Sequence, residues 1–249
     1  MEQDYTTEEV FGMHPVMEAI TAGKEFDKLF IQKSLKGDLS QELWNLVRKY
    51  RINYKLVPVE KLNRLTRKNH QGVFGFISPV SFHNTGDLLM SLYEEGKNPL
   101  LLVLDRVSDV RNFGAIARTA ECAGVDAIII PALGAAQING DAMKTSAGAL
   151  HNIPLCREKN MENCISFLKE SGLNIVACTE QTDQQLSDAD MTSPTAIIMG
   201  SEENGVSPEL IKASDMRAKI PMMGKTSSLN VSVAAGIIIY EAVRQRIQK

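Results

Sequence analysis

Leu100-Leu101-Leu102-Val103-Leu104, then the polar run Asp105-Arg106-Val107-Ser108-Asp109-Val110-Arg111, then Asn112-Phe113-Gly114-Ala115-Ile116-Ala117-Arg118-Thr119-Ala120 through Ala123, then Ala127-Ile128-Ile129-Ile130: this stretch decides the fold. Its two apolar runs show no alternation, which predicts strands covered on both faces. Residues 112–123 between them read as a helix, so the unit is a pair of parallel strands joined by a crossover. Asn112 is a natural N-cap. Gly114 admits another backbone or a ligand at a helix-propensity cost of about 0.5–1 kcal/mol. Arg118 lies six residues on from Asn112, about 240° around the helix, so spacing alone does not bring the two together.

The pattern continues downstream. Strands are predicted at Ile175–Cys178 and Ala196–Met199, and helices at Met161–Ser171, Pro208–Ala213 and Val231–Ile247. Ser207, Pro208 and Glu209 supply an N-cap, a first-turn proline and a first-turn acid. Upstream, helices at Met13–Ile20, Leu39–Tyr50 and Val59–Thr66 alternate with strands at Leu29–Ile31, Tyr54–Val57 and Val73–Ile77. That is a second, smaller α/β layer unit. Pro79–Pro99, with Asn84, Gly86, Gly96 and Asn98 around a Leu-rich turn, reads as a linker. The expected organisation is therefore residues 1–80, a linker over 81–98, and an α/β unit over 99–249.

Composition excludes several function classes. The chain has 249 residues, 44% hydrophobic and 23% charged, close to soluble globular averages. It has no run near the roughly 18 apolar residues of a membrane span. The first residues, Met1-Glu2-Gln3-Asp4-Tyr5, lack the basic-then-apolar order of a secretory signal, so a cytoplasmic protein with no membrane partner is expected. Cys122, Cys156, Cys164 and Cys178 form no Cys-x-x-Cys pair and have no histidine at ligand spacing. Buried free thiols are expected, and no metal site. No Gly-x-Ser-x-Gly or Cys/His signature marks a covalent nucleophile.

Charge is uneven. The net value is −3, yet residues 1–80 carry 12 Lys and Arg against 10 Asp and Glu. From Lys36 to Lys68 there are nine basic residues and three acidic ones. A basic patch on an otherwise acidic chain points to a polyanion such as RNA, although a solvated helix face reads the same way on charge alone.

Two further segments interrupt buried strands at the end where parallel sheets bind ligands. In Met199-Gly200-Ser201-Glu202-Glu203-Asn204-Gly205 the glycine ends a strand; it permits a cofactor to lie on the backbone with Glu202 nearby, or marks a plain turn. In Ile220-Pro221-Met222-Met223-Gly224-Lys225-Thr226-Ser227-Ser228-Leu229-Asn230, hydroxyl and amide side chains gather at the start of the last helix, and capping accounts for only one of them. Walker and dinucleotide-binding glycine patterns are absent.

Asn112 to Arg118, Gly200-Ser201-Glu202 and Ile220 to Asn230, in this order, resemble motifs one, two and three of the SpoU family of RNA ribose 2'-O-methyltransferases, within the SPOUT superfamily. The resemblance covers essentially the whole chain, because the basic N-terminal unit resembles the ribosomal-protein-like substrate-binding domain of many such enzymes. The branch it most resembles methylates a guanosine of 23S rRNA. The resemblance implies a catalytic parallel sheet with a deep trefoil knot, an obligate homodimer whose sites take residues from both copies, and S-adenosyl-L-methionine held largely by backbone at Gly200, Ile220 and Leu229. It implies that Asn112, Arg118, Glu202, Ser228 and Asn230 are the catalytic motif positions. On that reading Arg118 activates the ribose hydroxyl or holds the target phosphate; Ser228 and Asn230 orient the ribose or the arginine; and Glu202 fixes the loop or Arg118.

The chain departs from the family pattern at two places. Asp109-Val110-Arg111-Asn112 lacks the usual proline, and Glu202-Glu203-Asn204 replaces the usual Glu-Gly continuation. Within the family a tRNA is the alternative substrate. Outside it stand a catalytically silent RNA-binding relative and a small-molecule α/β enzyme that uses another nucleotide.

Overall fold

The computed structural model describes residues 8–50, 52–226 and 228–248. The chain divides into one unit of residues through Ser81 with Ile138–Gly140, and another of Phe82–Gln137 with Asp141 onward.

In the first unit, β1 (Glu9–Phe11), α1 (Met13–Thr21), β2 (Phe26–Gln32), α2 (Asp38–Lys49), β3 (Lys55–Val57), α3 (Val59–Leu65) and β4 (Val73–Ile77) follow in turn. The sheet order is β1-β4-β2-β3, with β4 antiparallel to β1 and β2, and β2 parallel to β3. Alternation along β2 sets the layers. Leu29 and Ile31 pack with Val16, Ile20, Leu43 and Val47 from α1 and α2, whereas Phe30 packs with Val57, Leu62 and Phe74. Lys61 and Lys68 lie over the rings of Phe30 and Phe11 at 5.3 and 5.2 Å from their centroids.

The second unit contains β5 (Phe82–His83), α4 (Thr85–Glu94), β6 (Leu100–Asp105), α5 (Val110–Cys122), β7 (Ala127–Pro131), α6 (Gly140–Thr145), β8 (Leu155–Glu158), α7 (Met161–Glu170), β9 (Asn174–Cys178), β10 (Thr195–Gly200), α8 (Pro208–Ala213), β11 (Met216–Ala218) and α9 (Val231–Ile247). Its seven strands run parallel in the order β11-β9-β10-β6-β7-β8-β5. Every residue of β6 and β7 is buried, as the unbroken apolar runs predict for a sheet covered on both sides. From β6 the chain builds outward through β7 and β8, then returns to the opposite side of β6 with β9 and β10. Parallel sheets bind ligands where the strand order reverses in this way.

Residues 81–98 are not the irregular linker expected. Asn84 Oδ1 accepts from the backbone N–H groups of Gly86 and Asp87 at 2.9 and 3.0 Å, so the residues that read as a turn are a helix cap. The leucines that follow are at helical spacing. Leu89 and Leu92 enter the core beside Leu101 and Val103, and Tyr93 Oη donates to the Ser171 carbonyl at 2.9 Å. The thiols also differ from expectation: Cys156 and Cys164 are buried, but Cys122, in the last turn of α5, is exposed. No described helix is long and apolar enough to cross a membrane.

The last helix is anchored near its end. Arg246 donates from Nε to the Met191 carbonyl at 2.9 Å, from Nη1 to Asn98 at 2.6 Å, and from Nη2 to Pro99 and Ser193 at 3.1 and 2.7 Å. One planar fork thus satisfies four carbonyls from two loops.

Candidate active site

The C-terminal ends of β6, β9, β10 and β11 gather the sequence motifs. At the end of β10 the chain folds back tightly: Gly205 N–H donates to the Ser201 carbonyl at 2.9 Å, and a Cβ added at Gly200 would lie 1.9 Å from the Gly205 carbonyl carbon. The missing side chain is therefore demanded by the protein's own backbone, whatever ligand binds there. Gly114 behaves likewise, since its Cβ would meet the Ala142 carbonyl oxygen at 2.8 Å.

The tight turn presents Glu202, and three motifs meet on one of its oxygens. Oε1 accepts from Asn230 Nδ2 at 2.7 Å, from Val231 N–H at 3.1 Å and from Asn112 Nδ2 at 3.2 Å. Asn230 Nδ2 also donates to Asn112 Oδ1 at 3.1 Å, while its own Oδ1 caps α9 by accepting from Ser232 N–H at 3.0 Å. A carboxylate at the start of a helix is favoured by the amides there and by the helix dipole.

One capping assignment changes, and another holds without its side-chain bond. Asp109 is the N-cap of α5, with Oδ1 accepting from Asn112 N–H at 2.7 Å. That places Asn112 in the first turn and frees its side-chain amide for Glu202. At α8, Ser207 is the N-cap residue but makes no side-chain cap bond; its N–H is held by Asp105 Oδ2 at 2.7 Å, and Pro208 starts the helix.

Beside this junction lies a cavity of about 450 Å³, lined by Gly200–Gly205, Ser228, Leu229, Ile220 and Met222, and by Cys178–Gln181 and Ala218–Lys219 at the ends of β9 and β11. Gly200, Ile220 and Leu229 thus share one cavity, and Glu202 belongs to both cavity and junction. Ser228 is exposed and lines the cavity without joining the junction. Arg118 is exposed on α5 and makes no hydrogen bond or ion pair to any described residue. Six residues of helix separate it from Asn112 by about 9 Å along the axis.

The β9 contribution was not anticipated. Its signal was an apolar strand ending in Thr179-Glu180-Gln181, the same strand-to-polar transition that marked the other motifs. Burial pushes the Cys178 thiol up to about 12, so at neutral pH it is a protonated, weakly polar wall.

Comparison with known proteins agrees with the family resemblance. The model of the SpoU rRNA methylase family matches residues 99–240, and that of the RNA 2'-O ribose methyltransferase substrate-binding domain matches residues 10–83. The chain is 34% identical over 237 residues to a Staphylococcus saprophyticus protein assigned to the TrmH family of tRNA/rRNA methyltransferases, covering 95% of each chain. Among solved structures it is similar to the SpoU methyltransferase AviRb from Streptomyces viridochromogenes in complex with AdoMet, with 25% identity, a TM-score of 0.61, and 97% and 91% of the two chains covered. It is also similar to an AdoMet-bound rRNA methyltransferase from Sinorhizobium meliloti, with 26% identity, a TM-score of 0.58, and 95% and 86% covered.

Proposed function

The chain belongs to the SpoU rRNA methylase family, and from that premise we propose that it methylates a ribose 2'-hydroxyl of RNA, a guanosine of 23S rRNA, with S-adenosyl-L-methionine as donor. The observation that carries this reading is the position of Glu202, which lines the cavity and ties Asn112 to Asn230.

The cavity fits the cofactor. Its volume is within the roughly 300–1,000 Å³ of small-molecule sites. Apolar walls from Met199, Ile220, Leu229 and Ile238 suit an aromatic base and alkyl chain, and Glu180, Gln181 and Ser228 offer hydrogen bonds. The backbones at Gly200, Ile220 and Leu229 would hold it. When bound, the cofactor supplies a methyl group on a positively charged sulfur, which leaves without help from a protein acid.

The protein's work is then to position the hydroxyl and to manage its proton. Glu202 fixes the two asparagine amides, so that Asn112 and Asn230 present a rigid polar edge to the ribose, with Ser228 beside it. Arg118, cationic at neutral pH, is assigned to the RNA: it holds the phosphate next to the target and polarises the hydroxyl. A single chain leaves Arg118 apart from the junction, and the proposal includes a homodimer in which residues of both copies complete each site. It also includes the trefoil threading of the C-terminal segment and an RNA-binding role for residues 1–80, where Lys61 and Lys68 stand over aromatic rings.

Labelled S-adenosylmethionine incubated with unmodified 23S rRNA, 16S rRNA and tRNA, followed by nucleoside mass spectrometry, tests this. The expected product is 2'-O-methylguanosine in 23S rRNA alone. Label in tRNA would move the target, and label in none of the three would overturn the assignment.

A further inference from the structure

Directly after β6, Arg106 adopts φ +60°, the left-handed region that costs a residue with a side chain free energy and that glycine or asparagine occupies more easily. Strain of this kind persists where the surroundings hold it in place, and it gathers at functional sites. Here the surroundings are specific. Arg106 Nε donates to Asp105 Oδ1 at 3.2 Å, and Nη2 reaches the Gly205 carbonyl at 3.5 Å. Asp105, only 4% exposed, uses its other oxygen to hold Ser207 N–H at 2.7 Å. The last residue of β6 and the residue directly after it therefore grip the chain on both sides of Val206, immediately after the Ser201–Gly205 turn that carries Glu202. That turn forms one wall of the cavity.

We propose that Arg106 is a positioning residue: its guanidinium, kept at the expense of backbone strain, fixes the Gly205 carbonyl and so sets Glu202 and the cavity wall for the cofactor. The Arg106 side chain is 43% exposed, so its contribution to global stability is small. The effect falls on the turn. A purely structural role predicts that removing the strain and the side chain together changes stability; the positioning role predicts that ligand binding changes instead.

This inference rests on the proposed methyltransferase function, so the test reads the binding of S-adenosylhomocysteine by calorimetry, together with melting temperature, for wild type, Arg106→Gly, Arg106→Asn and Arg106→Lys. Arg106→Gly and Arg106→Asn are expected to bind about three- to tenfold more weakly, the scale of losing one ordinary net hydrogen bond, with melting temperatures equal to or above wild type. Arg106→Lys keeps the charge without the planar fork, and its affinity falls between them and wild type. An unchanged dissociation constant in Arg106→Gly, or a loss of binding matched by a large fall in melting temperature, would overturn the proposal. Wild-type protein that takes up no S-adenosylhomocysteine would overturn the methyltransferase reading itself, and this inference with it.

Discussion

Replacing Glu202 with alanine removes three hydrogen bonds from one oxygen, at 2.7, 3.1 and 3.2 Å. The site is exposed, so each bond belongs at the low end of the net range, about 0.5 kcal/mol. Together they contribute about 1.5 kcal/mol, and the interaction of the carboxylate with the start of α9 adds about 0.3–1 kcal/mol. The expected loss is about 2 kcal/mol, and Glu202→Gln, which keeps an acceptor but not the charge, loses about half of that. For a unit of this size that is a fall in melting temperature of about 4–8 °C for the alanine variant. Hydrogen exchange localises the effect: the Val231 and Ser232 amides should lose protection, while those of β6 and β7 do not. Methyl transfer should fall well beyond the stability loss, because Asn112 and Asn230 are both released. Unchanged Val231 exchange in Glu202→Ala would refute the claim that this carboxylate joins the three motifs.

Other variants test other parts of the structure. Gly200→Ala places a methyl group 1.9 Å from backbone that no rotamer change can move, so urea denaturation should show a loss of at least about 3 kcal/mol. Arg246→Ala leaves the Met191, Asn98, Pro99 and Ser193 carbonyls without their shared donor; partial access of water to them limits the expected cost to about 2–3 kcal/mol by the same method. Arg244 holds the Glu241 carboxyl well below its usual range, at about 2. A carboxylate with a lowered folded-state value stabilises above its unfolded value and loses that contribution as pH falls toward the folded one. Glu241→Gln should therefore melt slightly below wild type at pH 7, with the gap closing between about pH 4.5 and pH 2.

The parallel sheet was legible because Leu100–Leu104 and Ala127–Ile130 are too uniformly apolar for one-sided strands. Val231–Ile247 was readable to its ends, since Asn230 caps it and its apolar residues are continuous. Two short strands of the second unit were not. Leu155-Cys156-Arg157-Glu158 and Met216-Arg217-Ala218 carry charge and have too few residues for a period to appear; pairing with β7 and β9 makes them strands. The helix at Thr85–Glu94 was missed because Asn84 and Gly86 look alike in a turn and in a cap. At the site, the motif residues were visible as polar interruptions. Their roles were not: Asp109 and Asn112, three positions apart, are both capping residue types and only Asp109 caps α5, while the bonding of Glu202 to amides rather than to Arg118 depends on a contact between residues 90 positions apart.

The strand order also governs how the protein is made. β10 lies between β6 and β9, and its register joins Thr195 to Leu100. Closing so long a loop before its contacts form is entropically costly, and such pairings form slowly. On the ribosome, the first unit can assemble its four-stranded sheet once Ile77 has emerged. The second unit must wait with the edge of β6 unpaired until Gly200 is available. Nascent chains should therefore show early protection of the first sheet and late protection of the second, with a vulnerable interval during which the exposed edge of β6 invites wrong partners.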